Sequence, residues 1–501
     1  MCKLGLAPPI EGRLVEQASL HLNNSLRQKF PKTKIVCTLG PASDSESQLE
    51  ALIKAGMSVA RLNMSHGDLQ THISVLKRVR KVSSELGIPV GIMVDVPGAK
   101  YRTGPLAPGA VQLQDGEHIV LTSEDVIGSS ERVSVSPPGI LLDATPVGAI
   151  LVDDGNIELM AVSIEEMDVT CKVIRGGRLT ERRGVVTPGR SPSQEFPDAK
   201  AIECLKFAAQ YNADFVALSN VTRREEIWKA RSILRESGMK DPMIISKVER
   251  AEAIENLSEV VDASDALMVA RGDMGVEVPL PLVPVIQKDL IRRSNAAGKP
   301  VITATQMLES MIESSSPTRA EVTDVANAVF DGSDAIMLSG ETSVGKFPVA
   351  AVSVMAATAL EAEKALPYDS MMRERAVNLE NKTDDAIGFA ACQTSNQLDS
   401  SLIVAFTESG RSAGRVSRYR PRAKILALTE WEDIQRRLTL RWGVVPVIVT
   451  GLESVEDFFS IGQRESEEFL DNDNKGTVVL VAGTPLGVPG STNMLRVLQL
   501  D

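Results

Sequence analysis

Short runs of apolar and β-branched residues recur along the chain and are separated by longer amphipathic stretches. Continuously apolar runs with helical spacers between them are typical of parallel strands that helices cover on both faces. Eight such runs precede residue 355, and eight strands close a (β/α)8, or TIM, barrel. The runs are KIVCT (34–38), SVARLN (58–63), IMVDV (92–96), FVALS (215–219), MIISKV (243–248), ALMVA (266–270), PVITAT (300–305) and AIMLSG (335–340).

The interval between the third and fourth runs spans roughly 120 residues, which is too long for a single crossover. Its segments alternate polar and apolar residues, interrupted by Asp-Gly, Pro-Pro and Gly-Gly pairs. This pattern is typical of antiparallel strands joined by tight turns. We therefore predict a small antiparallel β-barrel inserted at 101–189, on the third barrel loop. Such a cap can close over the barrel mouth and exclude water.

A third pattern follows a helical stretch that begins near residue 355. The apolar runs LIVAFT, KILALT, VVPVIV and TVVLVAG alternate with helical segments, which predicts a separate doubly wound α/β domain. Apolar residues spaced four apart indicate a further helix near the N-terminus. The predicted units are an N-terminal helical extension (1–28), the barrel (29–100 and 190–355), the cap (101–189) and the C-terminal α/β domain (356–501).

Composition and charge narrow the classes of function. The formal net charge of −12 argues against binding to nucleic acid or anionic membranes, because no basic stripe is available to release counterions. The sequence has no apolar run of about 18 residues, and its N-terminus lacks the pattern of a signal peptide. Its five cysteines are scattered, as expected for reduced thiols. We expect a cytoplasmic protein.

Two segments at successive strand ends carry a candidate metal site. Lys247 and Glu249 lie two residues apart in ISKVER, so both side chains point the same way, and Asp273 follows the next strand. Carboxylates on adjacent strand ends suit Mg²⁺ that keeps several waters and also binds substrate phosphate. The alternative is a surface Lys–Glu ion pair with a helix-capping Asp. Because both segments end strands at the same mouth, we favour the metal site.

Cations converge at the same mouth, although the chain as a whole is acidic. Arg61 ends the second strand, Arg102 follows the third, and Lys247 ends the fifth. Lys100 and Asp95 belong to the same loop region as Arg102. Phosphate is the natural ligand of such a cluster, since the guanidinium fork matches phosphate geometry.

Uncharged polar side chains complete the predicted mouth. Asn63, Ser65 and His66 follow Arg61, although His66 by itself is more simply a buried core histidine. Thr305 ends the seventh strand and presents a hydroxyl that can pass a proton or bind a substrate oxygen. Gly272 precedes what is predicted to be a short helix, where bare amides suit a carboxylate or phosphate. For the threonine and the glycine, a strand-forming residue and a simple turn are the alternatives.

Eight longer segments carry motifs: KIVCTLGPAS, GMSVARLNMSHG, VDDG (152–155), IISKVE, MVARGDMGVE, TATQMLESM, PTRAEVTDVANAVFDGSDAIMLSGET and ESGRSAGRVSRYRPRAKILALT. They resemble the motifs of the pyruvate kinases, in that family's order, over about residues 32–501. The resemblance implies a barrel, an inserted cap and a C-terminal regulatory domain. It also implies transfer of the phosphoryl group of phosphoenolpyruvate to ADP in the last step of glycolysis, giving pyruvate and ATP.

The resemblance implies a role for each matching residue. Lys247 would stabilise the transition state beside the phosphoryl group and the enolate, and Thr305 would belong to the proton relay. Glu249 and Asp273 would hold Mg²⁺ or Mn²⁺. The other implied substrate contacts are Arg61, Ser219, Ala270, Gly272 and Asp273, and the implied nucleotide contacts are Asn63, Ser65, His66, Arg102 and Arg183.

One departure from the family pattern concerns K⁺. The family's K⁺ ligands would correspond to Asn63, Ser65, Asp95 and the carbonyl of Val96, but Lys100 stands where a Glu is usual. An ammonium carries the charge of K⁺ and donates hydrogen bonds to the same oxygens. We therefore expect that Lys100 neutralises Asp95 and that K⁺ is not required. The alternative is that Lys100 points to solvent and the K⁺ site survives. Two further departures are Asn220 for Phe and Arg250 for Asn.

A phosphate-binding nest is predicted in the C-terminal domain, because hydroxyls, bare amides and an arginine follow a strand there. Glu408 would repel additional charge, so a phosphorylated effector would be a sugar monophosphate or a nucleoside monophosphate. The alternative for this segment is an ordinary helix start. For the whole protein, the resemblance implies a homotetramer. The predicted effector residues are Thr407, Ser409, Gly410, Arg411, Ser412, Gly490, Ser491 and Thr492.

Two other functions would fit parts of this pattern. Another Mg²⁺-dependent barrel enzyme of the phosphoenolpyruvate/pyruvate group, such as an oxo-acid lyase or aldolase, would share Glu249 and Asp273 but has no reason to carry the cap or the C-terminal domain. A phospholigand sensor without activity would have lost catalytic residues, yet Arg61, Lys247 and Thr305 are all present.

Overall fold

The eight apolar runs form eight parallel strands that close into a barrel in a computed structural model of the chain. The structure describes residues 28–98, 100–107, 109–189, 196–377, 379–470, 476–484 and 492–500. The order around the barrel is β1-β17-β16-β15-β14-β13-β3-β2. Successive barrel strands are therefore neighbours, and a long inserted segment separates β3 from β13 in the sequence. The strands are β1 (Lys34–Thr38), β2 (Met57–Asn63), β3 (Gly91–Val96), β13 (Phe215–Leu218), β14 (Ile244–Val248), β15 (Ala266–Ala270), β16 (Val301–Ala304) and β17 (Ala335–Leu338).

Helices surround the barrel and bury their apolar faces against the outside of its strands. Capping defines the ends of several: Ser45 accepts a hydrogen bond from the N–H of Gln48 at the first helix, which ends at Gly56 with φ +121°. A separate apolar cluster fills the barrel interior. The helices are α1 (Glu46–Ala55), α2 (Leu69–Leu86), α4 (Ala199–Gln210), α5 (Arg224–Glu236), α6 (Ala251–Glu255), α7 (Leu257–Ala263), α8 (Arg271–Glu277), α9 (Val283–Ala296), α10 (Arg319–Phe330), α11 (Gly340–Ser343) and α12 (Pro348–Lys364), with short 3₁₀ turns at Leu280–Leu282 and Glu309–Ile312.

The inserted segment forms the predicted cap, which has its own apolar core. Seven of its strands close into a second barrel in the order β10-β6-β7-β4-β12-β8-β9, and β5 pairs with β11 in a two-stranded sheet. The pairings are antiparallel except for β6 with β7, which run parallel. Its elements are β4 (Tyr101–Thr103), β5 (Ala110–Leu113), β6 (His118–Thr122), β7 (Arg132–Ser136), α3 (Ile140–Asp143), β8 (Ala149–Val152), β9 (Ile157–Glu165), β10 (Asp168–Arg175), β11 (Gly177–Thr180) and β12 (Gly184–Val186).

The C-terminal part contains a five-stranded sheet with apolar clusters on both faces, as a doubly wound domain requires. Its order is β20-β19-β18-β21-β22, and only the edge strand β22 runs antiparallel. The elements are α13 (Tyr368–Ala376), α14 (Thr383–Gln397), β18 (Leu402–Phe406), α15 (Arg411–Arg418), β19 (Lys424–Thr429), α16 (Glu432–Leu438), β20 (Val444–Ile448), α17 (Val455–Leu470), β21 (Thr477–Gly483) and β22 (Thr492–Gln499).

Other sequence predictions meet the structure only in part. The predicted N-terminal helical extension lies outside the described residues, except for its last residue. Among the described helices, none is long and apolar enough to cross a membrane. The four described cysteines are buried free thiols, Cys37, Cys171, Cys204 and Cys392.

Candidate active site

Three polar side chains from neighbouring strand ends meet at the mouth of the barrel around the buried carboxylate of Asp95. The Nε of Arg61 lies 2.7 Å from Asp95 Oδ2, and the Nζ of Lys247 lies 3.4 Å from Asp95 Oδ1. The Ser219 hydroxyl accepts a hydrogen bond from Lys247 at 2.8 Å and donates one to Asp95 at 3.2 Å. Arg61 also donates to Thr38 Oγ1 at 2.8 Å. The parallel register brings together residues that are far apart in the sequence.

Charge pairing keeps this cluster ionised although it is buried. Burial by itself would raise the pKa of Asp95, but the nearby Lys247 and Arg61 outweigh it and hold that pKa below its usual value. Burial likewise opposes the charge of Lys247, but Asp95 and Glu249 outweigh it, so the pKa of Lys247 is raised. The mouth therefore presents a permanent lysine cation and a permanent arginine cation.

The two predicted metal carboxylates lie at the same mouth. Glu249 directly follows β14, is only 2% exposed, and its Oε2 accepts a hydrogen bond from the backbone N–H of Asn220 at 2.7 Å. Its Oε1 lies 3.0 Å from Lys247 Nζ but accepts no hydrogen bond. Burial and the neighbouring Asp273 raise the pKa of Glu249. Asp273, in the first turn of α8, has a lowered pKa because Lys100 and Lys247 outweigh its burial.

This donor set fits a hard divalent cation. Glu249 Oε1 is a buried carboxylate oxygen that no hydrogen bond satisfies and that Lys247 approaches at 3.0 Å, and Mg²⁺ prefers carboxylate oxygens together with water and substrate phosphate. Within the described part of the chain, no group of three or more His, Cys, Asp or Glu side chains is arranged to hold a metal. Glu249 and Asp273 would therefore supply two ligands, leaving the remaining positions to water and substrate.

Lys100 does not contact the carboxylate that the sequence predicted. Its Nζ forms an ion pair with Asp273 Oδ1 at 2.9 Å, whereas Asp95 is neutralised by Arg61 and Lys247. The prediction that Lys100 neutralises Asp95 is therefore wrong. The reason is geometric, because Lys100 lies where the chain leaves the barrel for the cap and reaches across the mouth to α8.

Thr305 directly follows β16 and has a left-handed backbone, φ +69°, which is strained for a β-branched residue. Its hydroxyl accepts a hydrogen bond from the N–H of Gly272 at 2.8 Å. Arg271 holds the turn by donating to the carbonyl of Thr305 at 2.6 Å, and Asp324 pairs with Arg271 at 2.7 Å. The sequence analysis missed Arg271 and Asp324, because nothing along the chain links residue 271 to the backbone of residue 305.

A cleft of about 360 Å³ opens at this mouth. His66 is exposed there, so the buried core position favoured for it from the sequence is wrong. Arg183 is not among the residues that line the cleft; it pairs with Asp153 of the cap at 3.2 Å. The lining residues include Arg61, Asn63, Ser65, His66, Lys100, Arg102, Ser219, Lys247, Glu249 and Asp273.

The two other departures from the family pattern contact each other. Arg250 donates from Nε to Asn220 Oδ1 at 3.2 Å and pairs through Nη1 with Glu277 at 2.7 Å. Glu277 in turn accepts from the N–H of Gly189, at the end of the cap segment, at 3.4 Å. Because Asn220 also donates its backbone N–H to Glu249, this network connects the candidate metal ligand Glu249 with the base of the cap.

Some of the predicted effector residues are engaged or buried within the C-terminal domain, and others line a groove. The hydroxyl of Ser412 hydrogen-bonds Thr492 at 2.6 Å, and the hydroxyl of Thr407 is buried without a hydrogen-bond partner. Ser409, Gly410 and Arg411 line a groove of about 1070 Å³ between the barrel and the C-terminal domain. Gly490 and Ser491 lie outside the described residues.

The fold and the mouth together define a capped (β/α)8-barrel enzyme whose site suits an anionic substrate and a divalent cation. Comparison with known proteins specifies it further. The model of the pyruvate kinase barrel domain matches residues 30–352, and that of the pyruvate kinase alpha/beta domain matches residues 385–498. The chain belongs to the pyruvate kinase family and is therefore a phosphotransferase.

Individual relatives agree over nearly the whole chain. The chain is 42% identical to a pyruvate kinase of Staphylococcus saprophyticus, over 93% of this chain and 80% of that protein. It is 40% identical to a pyruvate kinase of Clostridium acetobutylicum, over 94% of this chain and 100% of that protein. A crystal structure of a pyruvate kinase from Cryptosporidium parvum matches with a TM-score of 0.89 and 34% identity, covering 95% of this chain and 97% of that one. The family generally uses Mg²⁺.

Proposed function

We propose that this protein transfers the phosphoryl group of phosphoenolpyruvate to ADP, giving pyruvate and ATP. The observation that carries the proposal is the buried Lys247, which lies 3.4 Å from Asp95 and 3.0 Å from Glu249, between the predicted phosphate and metal contacts. Phosphoryl transfer requires positive charge around three equatorial oxygens, and this mouth supplies it from fixed groups.

Each residue at the mouth has a distinct task in this mechanism. Arg61 binds the substrate phosphate and is held in position by Asp95. Lys247 stabilises the charge that develops on the phosphoryl group and on the enolate oxygen as the enol oxygen–phosphorus bond breaks. Glu249 and Asp273 would hold Mg²⁺ or Mn²⁺, which would supply positive charge next to the phosphate. Ser219 fixes the ammonium of Lys247, and the substrate carboxylate lies along Ala270, Gly272 and Asp273.

Pyruvate is completed by protonation at carbon. As the phosphoryl group bonds to the terminal phosphate oxygen of ADP, the electron pair of the broken bond remains as the enolate. The enolate carbon then takes a proton through a relay that includes the Thr305 hydroxyl, and the keto product forms. Gly272 and Arg271 hold Thr305 in position for this step. Closure of the cap excludes water that would otherwise accept the phosphoryl group.

The nucleotide binds between the barrel and the cap. Asn63, Ser65, His66 and Arg102 line the open side of the cleft, and we assign the nucleotide phosphates to them. We assign Arg183 to the same set, because closure of the cap would bring this residue towards the mouth.

The experiment that tests the proposal is an assay for pyruvate formation that depends on both ADP and phosphoenolpyruvate. We expect equal amounts of pyruvate and ATP. Pyruvate that forms from phosphoenolpyruvate without ADP, or from a larger oxo-acid, would instead favour an oxo-acid lyase or aldolase of the same group.

We further propose that turnover does not require K⁺, because Lys100 supplies a fixed cation at the mouth. Asn63, Ser65, Asp95 and the carbonyl of Val96 form the region where relatives would hold that ion. A phosphorylated effector, a sugar monophosphate or nucleoside monophosphate, binds at Thr407–Ser412 with 490–492. We assign the protein to the cytoplasm as a homotetramer with the four units predicted from the sequence.

A further inference from the structure

The candidate metal ligand Asp273 is already paired with a cation of the protein itself. Lys100 Nζ lies 2.9 Å from Asp273 Oδ1, within ion-pair and hydrogen-bond distance. The other candidate carboxylate, Glu249, differs in its partner: its Oε1 lies 3.0 Å from Lys247, an ammonium that Asp95 and Ser219 also hold in place. A divalent cation that takes the Asp273 oxygen paired with Lys100 would therefore displace that lysine.

The path of the lysine shows how this contact is built. Lys100 joins β3 of the barrel to β4 of the cap, and its chain passes over Gly184 of the cap strand β12. A Cβ at Gly184 would lie 2.7 Å from Lys100 Cε, so a larger residue there would push the lysine side chain off this course. The ammonium is thus directed across the mouth by cap backbone on one side and Asp273 on the other.

We propose that Lys100 competes with the divalent cation for Asp273, and that a phosphate-bearing substrate draws the ammonium away and so opens the site to the metal. The inference rests on the proposed metal ligands. An ammonium and Mg²⁺ favour the same carboxylate oxygen, and they cannot both occupy it. Substrate phosphate offers Lys100 a doubly charged partner within the same cleft. Metal and phosphate ligand consequently bind with positive cooperativity, which by linkage is reciprocal.

The test is a titration with Mn²⁺, followed through the electron paramagnetic resonance signal of the free ion, without ADP so that no turnover occurs. Phosphoenolpyruvate should lower the Kd for Mn²⁺ in the unmodified protein, and pyruvate, which lacks the phosphate, should lower it less. In Lys100→Gln the Kd without substrate should fall roughly two- to fivefold, as expected from removing one partly exposed ion pair. The additional effect of phosphoenolpyruvate should shrink accordingly.

Lys200→Gln is the matched control. Lys200 lines the same cleft but pairs with Glu203 at 2.7 Å. Its removal should leave the Kd for Mn²⁺ unchanged, and Lys100→Arg, which keeps the charge, should retain weak binding. If Lys100→Gln and Lys200→Gln lower the Kd for Mn²⁺ by the same factor, the effect is one of general charge and the proposal is overturned.

A further variant separates this inference from the proposed function. Asp273→Asn should greatly weaken Mn²⁺ binding if Asp273 is a metal ligand. If it does so while Lys100→Gln leaves the Kd unchanged, the competition is wrong and the metal assignment stands. If Asp273→Asn binds Mn²⁺ as the unmodified protein does, the metal assignment itself is wrong.

Discussion

At the residue scale, Asp95 organises the site although the mechanism gives it no reaction to perform. It is 2% exposed and accepts contacts from Arg61, Lys247 and Ser219. Asp95 thus holds two cations, Arg61 and Lys247, at the mouth where an incoming phosphate would meet them. The buried acid is therefore a positioning residue whose geometry is fixed by four separate strand ends.

Lys247→Met should lower turnover by roughly two orders of magnitude or more, since the ammonium acts on charge that develops in the transition state. Arg61 still neutralises Asp95 in this variant, so circular dichroism should show an intact fold. Steady-state assays and Mn²⁺ titration of the same sample give the comparison, with Lys200→Met as the control. Near-normal turnover would make Lys247 a structural ion-pair partner.

Turnover without K⁺ is the second expectation at this scale. With Na⁺ and K⁺ replaced by tetramethylammonium, the unmodified protein should keep full activity, because the ammonium of Lys100 fills the need for a monovalent charge. Lys100→Glu should become dependent on K⁺. Strong activation of the unmodified protein by K⁺ would contradict the assignment.

At the scale of elements, the link between barrel and cap depends on a buried ion pair. Arg250 follows β14 and Glu277 ends α8, and their side chains are 7% and 4% exposed. Burial raises the pKa of Glu277 despite its arginine partner. The pair also reaches Asn220 and Gly189, so it joins two barrel strand ends with the base of the cap.

Arg250→Met should destabilise the protein by about 3–5 kcal/mol, because it leaves Glu277 buried without its cation. The double variant Arg250→Met with Glu277→Leu should recover much of that loss, since both charges are then removed together. Urea unfolding followed by tryptophan fluorescence measures both. If the single and double variants are equally unstable, the ion pair is not the source of the loss.

The start of α15 carries the prediction for regulation. Arg411→Ala should abolish activation by whichever sugar or nucleoside monophosphate activates the unmodified protein, because the guanidinium lines the groove and matches phosphate geometry. Activity without effector should not change, since Arg411 belongs to the C-terminal domain and is not among the residues that line the mouth. Activation that survives the substitution would place the effector elsewhere.

At the scale of the whole molecule, the junction of the barrel and the C-terminal domain contains an excess of buried cations. Burial lowers the pKa of Lys424 to about 7 and the pKa values of Lys32 and Lys34 to about 8, and Glu363 only partly offsets it. Lys424 donates to the carbonyl of Phe30 at 2.8 Å, and Lys34 donates to that of Val444 at 2.6 Å. The two domains are thus held together by lysines whose charge is costly.

This arrangement predicts that stability rises with pH. The folded-state pKa of Lys424 is about 7 and its ordinary value is 10.5, so between them the unfolded chain binds more protons. The stability that the deprotonation of Lys424 contributes is complete above pH 10.5 and is lost as the pH falls through 7. Lys424→Met should therefore raise the melting temperature at pH 6.5 and flatten its rise from pH 7 to 8.5. Thermal melts at several pH values check this, and parallel curves for both proteins would contradict it.

The sequence could predict whatever depends on local periodicity or on strand order. Apolar runs indicated the eight barrel strands, because a strand covered on both faces needs apolar side chains on both. Residues at strand ends, such as Lys247 and Glu249, could be placed at one mouth, because parallel strands share a carboxyl edge. Contacts between a side chain and the backbone of the neighbouring strand end, such as Arg271 to Thr305, left no periodic signal along the chain.

The sequence by itself therefore determined the fold class, the family and the residue types at the mouth, since these follow from hydrophobic pattern and motif order. Only the tertiary structure decided which charges pair. It placed Lys100 on Asp273 instead of Asp95, and it joined Arg250 with Asn220 and Glu277. The physical reason is distance: a long side chain at the edge of a barrel can reach several carboxylates, and packing of the cap against the mouth selects among them.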